Sequence, residues 1–389
     1  RSGQFGRQPG DVLRLDRRVG HQLSDLGIFL VATPGLDQPL LAEARAHGFA
    51  DPVIVPGGVE TRGDWPEVWR ANLVLRCATR VLVRIGEFRA MHLAQLDKRA
   101  HKFPWKDVLR PDQPVRVEAT CRKSRIYHAG AAAQRIERAI TDVLGAPLAD
   151  DAAIVVKLRI EDDLAVISLD SSGESLHKRG HKEAVAKAPM RETMAAGFLY
   201  ECGYRGAEPV FDPMCGSGTF VIEAAEIAAG LMPGRSRRFA FEDFANFKLD
   251  IWTRMKAEST AHAPQFRFSG SDRDSGAVRM SVANATRAGV VEWCDFAHGQ
   301  IADAVPPEGP PGLVMINPPY GARIGNKGPL YGLHANMGEV LKTRFKGWRV
   351  GIVTSEPSLA RATGLPFREP GPIVAHGGIK VRLYQTGPL

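Results

Sequence analysis

Between residues 209 and 354 the chain repeats one pattern: a short apolar run that stops abruptly, followed by a helix-length amphipathic segment. "PVFDP" leads into "GTFVIEAAEIAAG", and "FRFSGSD" into "DSGAVRMSVANATRAG". "VEWCDF" and "GLVMINPP" follow, then "GPLYGLHANMGEVLKTRF" and "WRVGIVTSE". Apolar runs too short to be helices, alternating with helices, predict right-handed βαβ units and a parallel sheet covered on both faces. The end of the chain, "GPIVAHGGIKVRLYQTG", breaks the pattern. Gly377-Gly378 between two strand-like runs signals a hairpin, so the parallel sheet is predicted to close with a C-terminal antiparallel hairpin. The second half is therefore expected to be a Rossmann-like α/β domain.

The first half has a shorter rhythm. Strands are expected at "IFLVAT", at "DPVIVPGGVETRG" as a hairpin, near Thr79–Ile85, at "QPVRVEATCR", and as a hairpin around Glu161-Asp162-Asp163. Helices are expected at "DQPLLAEARAHGF", in the "WPEVWRANLV" segment, at "HLAQLDKRAHKF" and at "GAAAQRIERAITDVLG". This is an α+β module over residues 28–172. Residues 1–27 read as a flexible arm, 173–188 as a basic connector containing "SLHKRGHKEAVAK", and 189–389 as the α/β domain. Within that domain, 232–265 reads as an insertion between its first helix and second strand.

Composition removes several classes of function. The five cysteines are widely separated and form no C-x-x-C, so neither a disulfide framework nor a zinc site is expected. His177 and His181 are four residues apart but lack acidic or thiol companions, and no metal is expected. No apolar run reaches the roughly 18 residues of a membrane span. The N-terminal segment lacks the apolar core of a secretory signal. A cytoplasmic location without membrane contact is the expectation, and nothing implies an obligate protein partner. Lys and Arg number 51 against 43 Asp and Glu, a formal charge of +8 that favours a polyanionic partner.

Chemistry concentrates where the apolar runs stop. In "FDPMCGSGT" a strand ends at Asp212 and a Gly-x-Gly turn opens a helix. Gly216 and Gly218 let backbone approach a ligand, and the helix start offers free N–H groups. Position 221 is Val, so the dinucleotide fingerprint fails, and the phosphate-loop motif is absent too. A less anionic ligand than a pyrophosphate is implied, with Asp212 suited to an ammonium or hydroxyl group. A plain strand–turn–helix junction is the blander alternative. Asp272 ends the next strand, where an acid commonly accepts ribose hydroxyls in doubly wound folds; the alternative is a helix cap, the role expected of Asp274.

"INPPY" ends the "LVMI" run. Neither a helix nor a central strand passes through Pro318-Pro319, so a stiff loop presents Asn317 and Tyr320. The lone pair of an exocyclic amine on a planar base or amide is delocalised, which makes it a poor nucleophile. The Asn317 amide oxygen and the Pro318 carbonyl can both accept from such an NH₂ and aim its lone pair at an electrophile. Tyr320 offers a face for stacking.

With "LHKRGHK", "APMRETMAAGFL", "FDPMCGSGTFVIEAA", "GSDRD", "INPPYGARIG" and "GGIKVRLYQ", the chain resembles the THUMP-domain, class I RNA guanine-N2 methyltransferases of the bacterial 23S ribosomal RNA type. The resemblance covers about 28–389 and is strongest in the second half. It implies S-adenosylmethionine as cofactor, bound by Asp212, Pro213, Cys215, Gly216, Gly218, Thr219 and Asp272. Gln300 stands where the family usually has an acid near the adenine. Asn317, Pro318, Pro319 and Tyr320 would hold guanine N2. The first half would be a ferredoxin-like plus THUMP module that binds structured RNA, ribosomal first and transfer RNA second. Adenine N6 in DNA and a glutamine amide in protein pose the same chemical problem to an Asn-Pro-Pro-Tyr site.

The basic residues gain a role from this. Lys98, Arg99, Lys102, Lys106, Arg122, Lys123 and Arg125 lie in one stretch with Phe103, Trp105 and Tyr127, and Lys178 and Arg179 lie in the connector. Phosphate binding with ring stacking is the functional reading; a solvated face is the alternative.

Overall fold

The computed structural model describes residues 25–183, 190–320 and 328–389. Most of the expected N-terminal arm and the 184–188 part of the connector lie outside the described residues.

The chain opens with β1 (Leu26–Ala32), α1 (Asp37–Ala46), β2 (Ala50–Val55), β3 (Gly58–Gly63), α2 (Trp65–Val74) and β4 (Ala78–Arg89). The strands lie in the order β2-β3-β1-β4, the arrangement of a ferredoxin-like fold. Strand β1 buries every second residue, starting at Leu26, which fixes its face and starts it ahead of the expected residue 28. Helix α2 begins at Asp64, whose carboxylate accepts the Glu67 N–H at 3.1 Å, with Pro66 in the first turn. Val68, Trp69 and Leu73 then fall on one buried face.

Next come α3 (Leu93–Ala100), β5 (Val115–Arg122), α4 (Ala129–Leu144), β6 (Ile154–Glu161) and β7 (Leu164–Asp170). Here the order is β4-β7-β6-β5, with β5 and β6 parallel and β7 antiparallel to both β6 and β4. Ala132, Ile136, Ala139 and Ile140 form the buried stripe of α4, the periodicity that predicted the helix.

The remaining elements are α5 (Glu192–Glu201), β8 (Val210–Asp212), α6 (Thr219–Ala228), α7 (Leu249–Ala257), β9 (Phe268–Asp272), α8 (Ser275–Ala288) and β10 (Cys294–His298). They continue with β11 (Leu313–Ile316), α9 (Gly328–Arg344), β12 (Arg349–Thr354), α10 (Pro357–Ala362), β13 (Val374–His376) and β14 (Ile379–Gln385). Seven strands form one sheet in the order β10-β9-β8-β11-β12-β14-β13. The first five are parallel; β14 runs antiparallel to β12, and β13 antiparallel to β14. The expected α/β sheet with its C-terminal hairpin is what forms. One edge shifts: Val291–Trp293 make a 3₁₀ turn, and the strand expected from "VEWCDF" starts only at Cys294.

All four residues of β11 are buried because both faces of the sheet are covered. Met315 joins a core with Phe198, Phe220, Val221 and Phe268, whereas Val314 and Ile316 join Phe211, Met337, Phe345 and Trp348 on the other side.

The compact units divide differently from the expected 28–172 and 189–389. One unit comprises Ile28–Val81, Glu174–Phe239 and Lys248–Leu389; the other holds Leu82–Gly173 and Ala240–Phe247. A buried ion cluster within the larger unit supplies the reason. Arg76 donates to Glu223 at 2.8 Å and Glu226 at 3.1 Å, both on α6, and to the Leu231 carbonyl. Arg179 donates to Glu223 at 3.0 Å and to the Arg76 carbonyl at 2.9 Å. Glu43 on α1 accepts the N–H groups of Arg76 and Cys77. Burial works against the Glu226 carboxylate, yet Arg235 and Arg76 hold its pKa below the usual range. Separating these partners would strand uncompensated charge, so the ferredoxin-like segment is tied to α6.

Candidate active site

In a doubly wound sheet, ligands bind at the carboxyl ends of the strands where the order reverses, here between β8 and β11. Asp212 ends β8, Asp272 ends β9, Gly299 and Gln300 follow β10, and Asn317 follows β11. A cavity of about 1780 Å³ opens there. Pro213, Met214, Gly216, Asp272, Gln300, Asn317, Pro318, Pro319 and Tyr320 all line it. Residues singled out from four distant segments of sequence thus meet around one space.

The turn after β8 is shaped by two glycines. Gly216 has φ +54 and Gly218 φ +83, backbone conformations that side chains disfavour. A Cβ on Gly216 would meet nothing within 4 Å, so this backbone lies open, while one on Gly218 would stand 3.0 Å from Ser281 Oγ. Asp272 locks the turn: its Oδ2 accepts the Gly216 N–H at 2.9 Å, and its Oδ1 accepts the Asp274 N–H at 2.9 Å. Asp274 caps α8, as expected, by accepting the Gly276 N–H at 2.7 Å.

Asp212 is only 2% exposed and accepts the Met214 N–H at 3.0 Å. Burial pushes its pKa up to about 8; the Met214 N–H opposes the rise and the neighbouring Asp272 charge adds to it. A cation placed against Asp212 would reverse this.

Three expected cofactor contacts face inward instead. Cys215 is buried, its sulfur 3.7 Å from Ser281 Oγ, and Gly218 donates its N–H to the Cys215 carbonyl at 2.7 Å. The Thr219 hydroxyl accepts from Lys182 Nζ at 2.9 Å. These residues build the turn rather than the cavity wall, because the helix start is held by its own neighbours.

Across the cavity, Asn317 Oδ1 is buried and has no hydrogen-bond partner among the described residues. A buried acceptor without a donor is costly, which makes it a place for a ligand N–H. Tyr320 packs against the core and lines the cavity, with its hydroxyl 3.4 Å from His376 Nδ1. Burial raises its phenol pKa to about 12, so it stays neutral.

His376, Gly377 and Ile379 of the C-terminal hairpin, and His177, Lys178, Lys182 and Arg191, line the cavity without having been singled out as cavity residues. Lys182 is held by Glu192 at 3.1 Å and the Met190 carbonyl at 3.0 Å. Burial pushes His177 down to about 4, helped by the charge of Arg191. The run "HKRGHK" was a signal for some of them, read as an RNA-backbone contact rather than a wall.

The expected RNA-contact residues separate sharply. Lys98, Lys102, Lys106, Arg122, Lys123, Arg125 and Lys178 are exposed and Arg99 is half-buried. Arg179 is 1% exposed and committed to Glu223, so it is a structural cation and not an RNA contact. Phe103 and Trp105 are also corrected. Both are buried with ring centroids 4.6 Å apart, and Trp105 Nε1 donates to the Ala100 carbonyl. Among the described residues, no group of three or more His, Cys, Asp or Glu is placed to hold a metal ion. No helix among them is long and apolar enough to cross a membrane.

Comparison with known proteins bears on the fold and the two segments that build it. Residues 179–368 match the RMKL-like methyltransferase domain, and residues 27–82 match the RlmL ferredoxin-like domain. The structure of SMU.472 complexed with SAH is 26% identical, with a TM-score of 0.83, over 94% of this chain and 99% of that one. A predicted N6-adenine-specific DNA methylase from Listeria monocytogenes is 29% identical, with a TM-score of 0.81, over 94% of this chain and 97% of that one. TrmN from Thermus thermophilus shares the fold at 20% identity and a TM-score of 0.73, over 94% of this chain and 100% of that one. The chain is therefore a methyltransferase, in which a segment matching the RlmL ferredoxin-like domain precedes one matching the RMKL-like methyltransferase domain.

Proposed function

We propose that the protein transfers a methyl group from S-adenosylmethionine to the exocyclic N2 of a guanine in structured RNA, with 23S ribosomal RNA the first candidate and transfer RNA the second. The observation that carries the reading is Asn317 Oδ1, a buried acceptor on the cavity wall with no partner among the described residues.

The residues present fit the cofactor. The Gly216 backbone is open, and Asp212 is a buried carboxylate whose pKa would fall beside an ammonium group. Asp272 can accept ribose hydroxyls on the lone pairs its two backbone donors leave free. Gln300 can hydrogen-bond the adenine edge. S-adenosylmethionine, when bound, supplies a methyl group on a sulfonium, an electrophile that needs no further activation.

The protein's task is then to position the nucleophile. Asn317 Oδ1 and the Pro318 carbonyl accept from the base NH₂, and Pro318-Pro319 keep the two acceptors fixed. Tyr320 stacks on the base. No base is required before attack, because the amine loses its proton after the methyl group has moved. Residues 82–173 would act as the THUMP-type module that holds the RNA, through Lys98, Lys102, Lys106, Arg122, Lys123 and Arg125.

The test is methylation of undermodified ribosomal and transfer RNA, followed by digestion and mass spectrometry of nucleosides. N2-methylguanosine is the expected product. The Listeria relative's description favours a second reading, adenine N6 as acceptor. N6-methyladenine in DNA or RNA would establish that reading and exclude guanine.

A further inference from the structure

We propose that the loop joining β5 to α4 is a stacking site for an unpaired RNA base, with Tyr127 as its platform. The inference rests on the RNA reading above and adds a contact to it.

Tyr127 is 84% exposed, whereas Phe103 and Trp105 are in the core. An aromatic ring left in water at this level forgoes its largest source of stabilisation, burial of its faces. The loop that presents it is not slack. Ile126, beside it, is buried and pins the loop to the core. Asp163 Oδ1 accepts from both the Ser124 hydroxyl and the Arg125 N–H, each at 2.8 Å. Lys123, Asp162 and Asp163 all have positive φ, of 46°, 49° and 62°. At Asp162 and Asp163 this is the ordinary geometry of the two-residue β6–β7 turn, whereas Lys123, at the same end of the β5–β6–β7 strands, holds a backbone that side chains disfavour.

The charge around the ring selects the occupant. Lys123 and Arg125 are exposed on the same loop, and Arg122 is exposed at the end of β5. Of the nearby carboxylates, Glu161 is engaged by Arg159 and Asp163 by the loop itself, while the exposed Asp162 stands against three cations. Cations flanking an open aromatic face match a phosphodiester chain carrying a base with a free face. A base inside a duplex has both faces covered, so the site should discriminate for unpaired nucleotides.

The experiment uses the full chain, a labelled single-stranded RNA of mixed sequence, and the same RNA annealed into a blunt duplex. Affinity is measured over a range of salt. Tyr127→Ala should weaken single-strand binding by about 5- to 150-fold, the range of one lost base stack, with the salt slope unchanged. Tyr127→Phe should restore affinity, and duplex binding should be unaffected by either change. Joint replacement of Arg122, Lys123 and Arg125 by Ala should instead flatten the slope, by about one per lost phosphate contact. Unchanged single-strand affinity in Tyr127→Ala overturns the proposal. So does an equal loss on the duplex, or failure of Phe to rescue. If the wild-type chain binds neither RNA, the RNA reading itself fails, a result distinct from these.

Discussion

The loops after β9 and β11 both place a side-chain acceptor at the cavity, and they use it in opposite ways. Asp272 spends both carboxylate oxygens on the protein, accepting from Gly216 and Asp274. Asn317 leaves its Oδ1 without a partner among the described residues. The first shapes the turn after β8; the second, on the reading proposed above, is the acceptor offered to the substrate from a loop stiffened by two prolines. Position along the strand does not distinguish them; only the partners do.

The largest effect expected from this contrast is on turnover. Asn317→Ala should lower single-turnover methylation by roughly 10²–10³, the usual cost of one oriented polar group, while calorimetry shows cofactor affinity nearly unchanged. If the substitution instead weakens cofactor binding and leaves turnover intact, the contrast breaks. Asp272→Ala should do the reverse. Losing two hydrogen bonds to a carboxylate, one part-buried and one exposed, should lower stability by about 1.5–3 kcal/mol in urea melts, the range of one such buried bond, and weaken cofactor binding. A variant as stable as the parent would mean that Asp272 does not hold the turn.

Asp212 sharpens the comparison, since it is an acceptor kept protonated by burial. Its pKa rises from 3.8 to about 8 on folding, so the folded chain holds one extra proton between those values. The stability contributed by that proton is complete below about pH 4 and is lost as pH rises through about 8. Asp212→Asn should flatten the decline of ligand-free stability over this window, measured by denaturant melts at a series of pH values. An unaltered decline would assign it to other groups. The smallest effect is expected from Tyr320→Phe, which keeps the ring and loses only a 3.4 Å contact with His376. Methylation should stay near the parent level; a loss comparable to that of Asn317→Ala would give the hydroxyl a role in the reaction.

The sheet and the strand ends that meet at the cavity were legible because the signals are local. Apolar runs stop at Asp212, Asp272 and Asn317, and two glycines or two prolines enforce the stop. The fate of the basic residues was not legible. Arg179 looks like its neighbour Lys178 in sequence, yet its partner Glu223 comes from α6, 44 residues away. Phe103 and Trp105 lie among exposed lysines, but their rings turn into the core while Tyr127 remains outside. Lys182 and His376 escaped notice for the same reason: their places on the cavity wall depend on which elements fold against them. Local stiffness can be read from residue types, whereas pairing across the fold cannot.

The Arg76–Glu223 pair also has a temporal consequence. Its two members are 147 residues apart in the chain. At a ribosomal pace of roughly 5–20 residues per second, the ferredoxin-like segment waits on the order of ten seconds or more for the helix that neutralises Arg76. Through that interval an arginine destined for the interior stays hydrated, so closure of the interior around it is deferred until α6 has emerged. Synthesis and docking are therefore separated in time: the ferredoxin-like segment exists as chain well before it reaches its buried partner on α6.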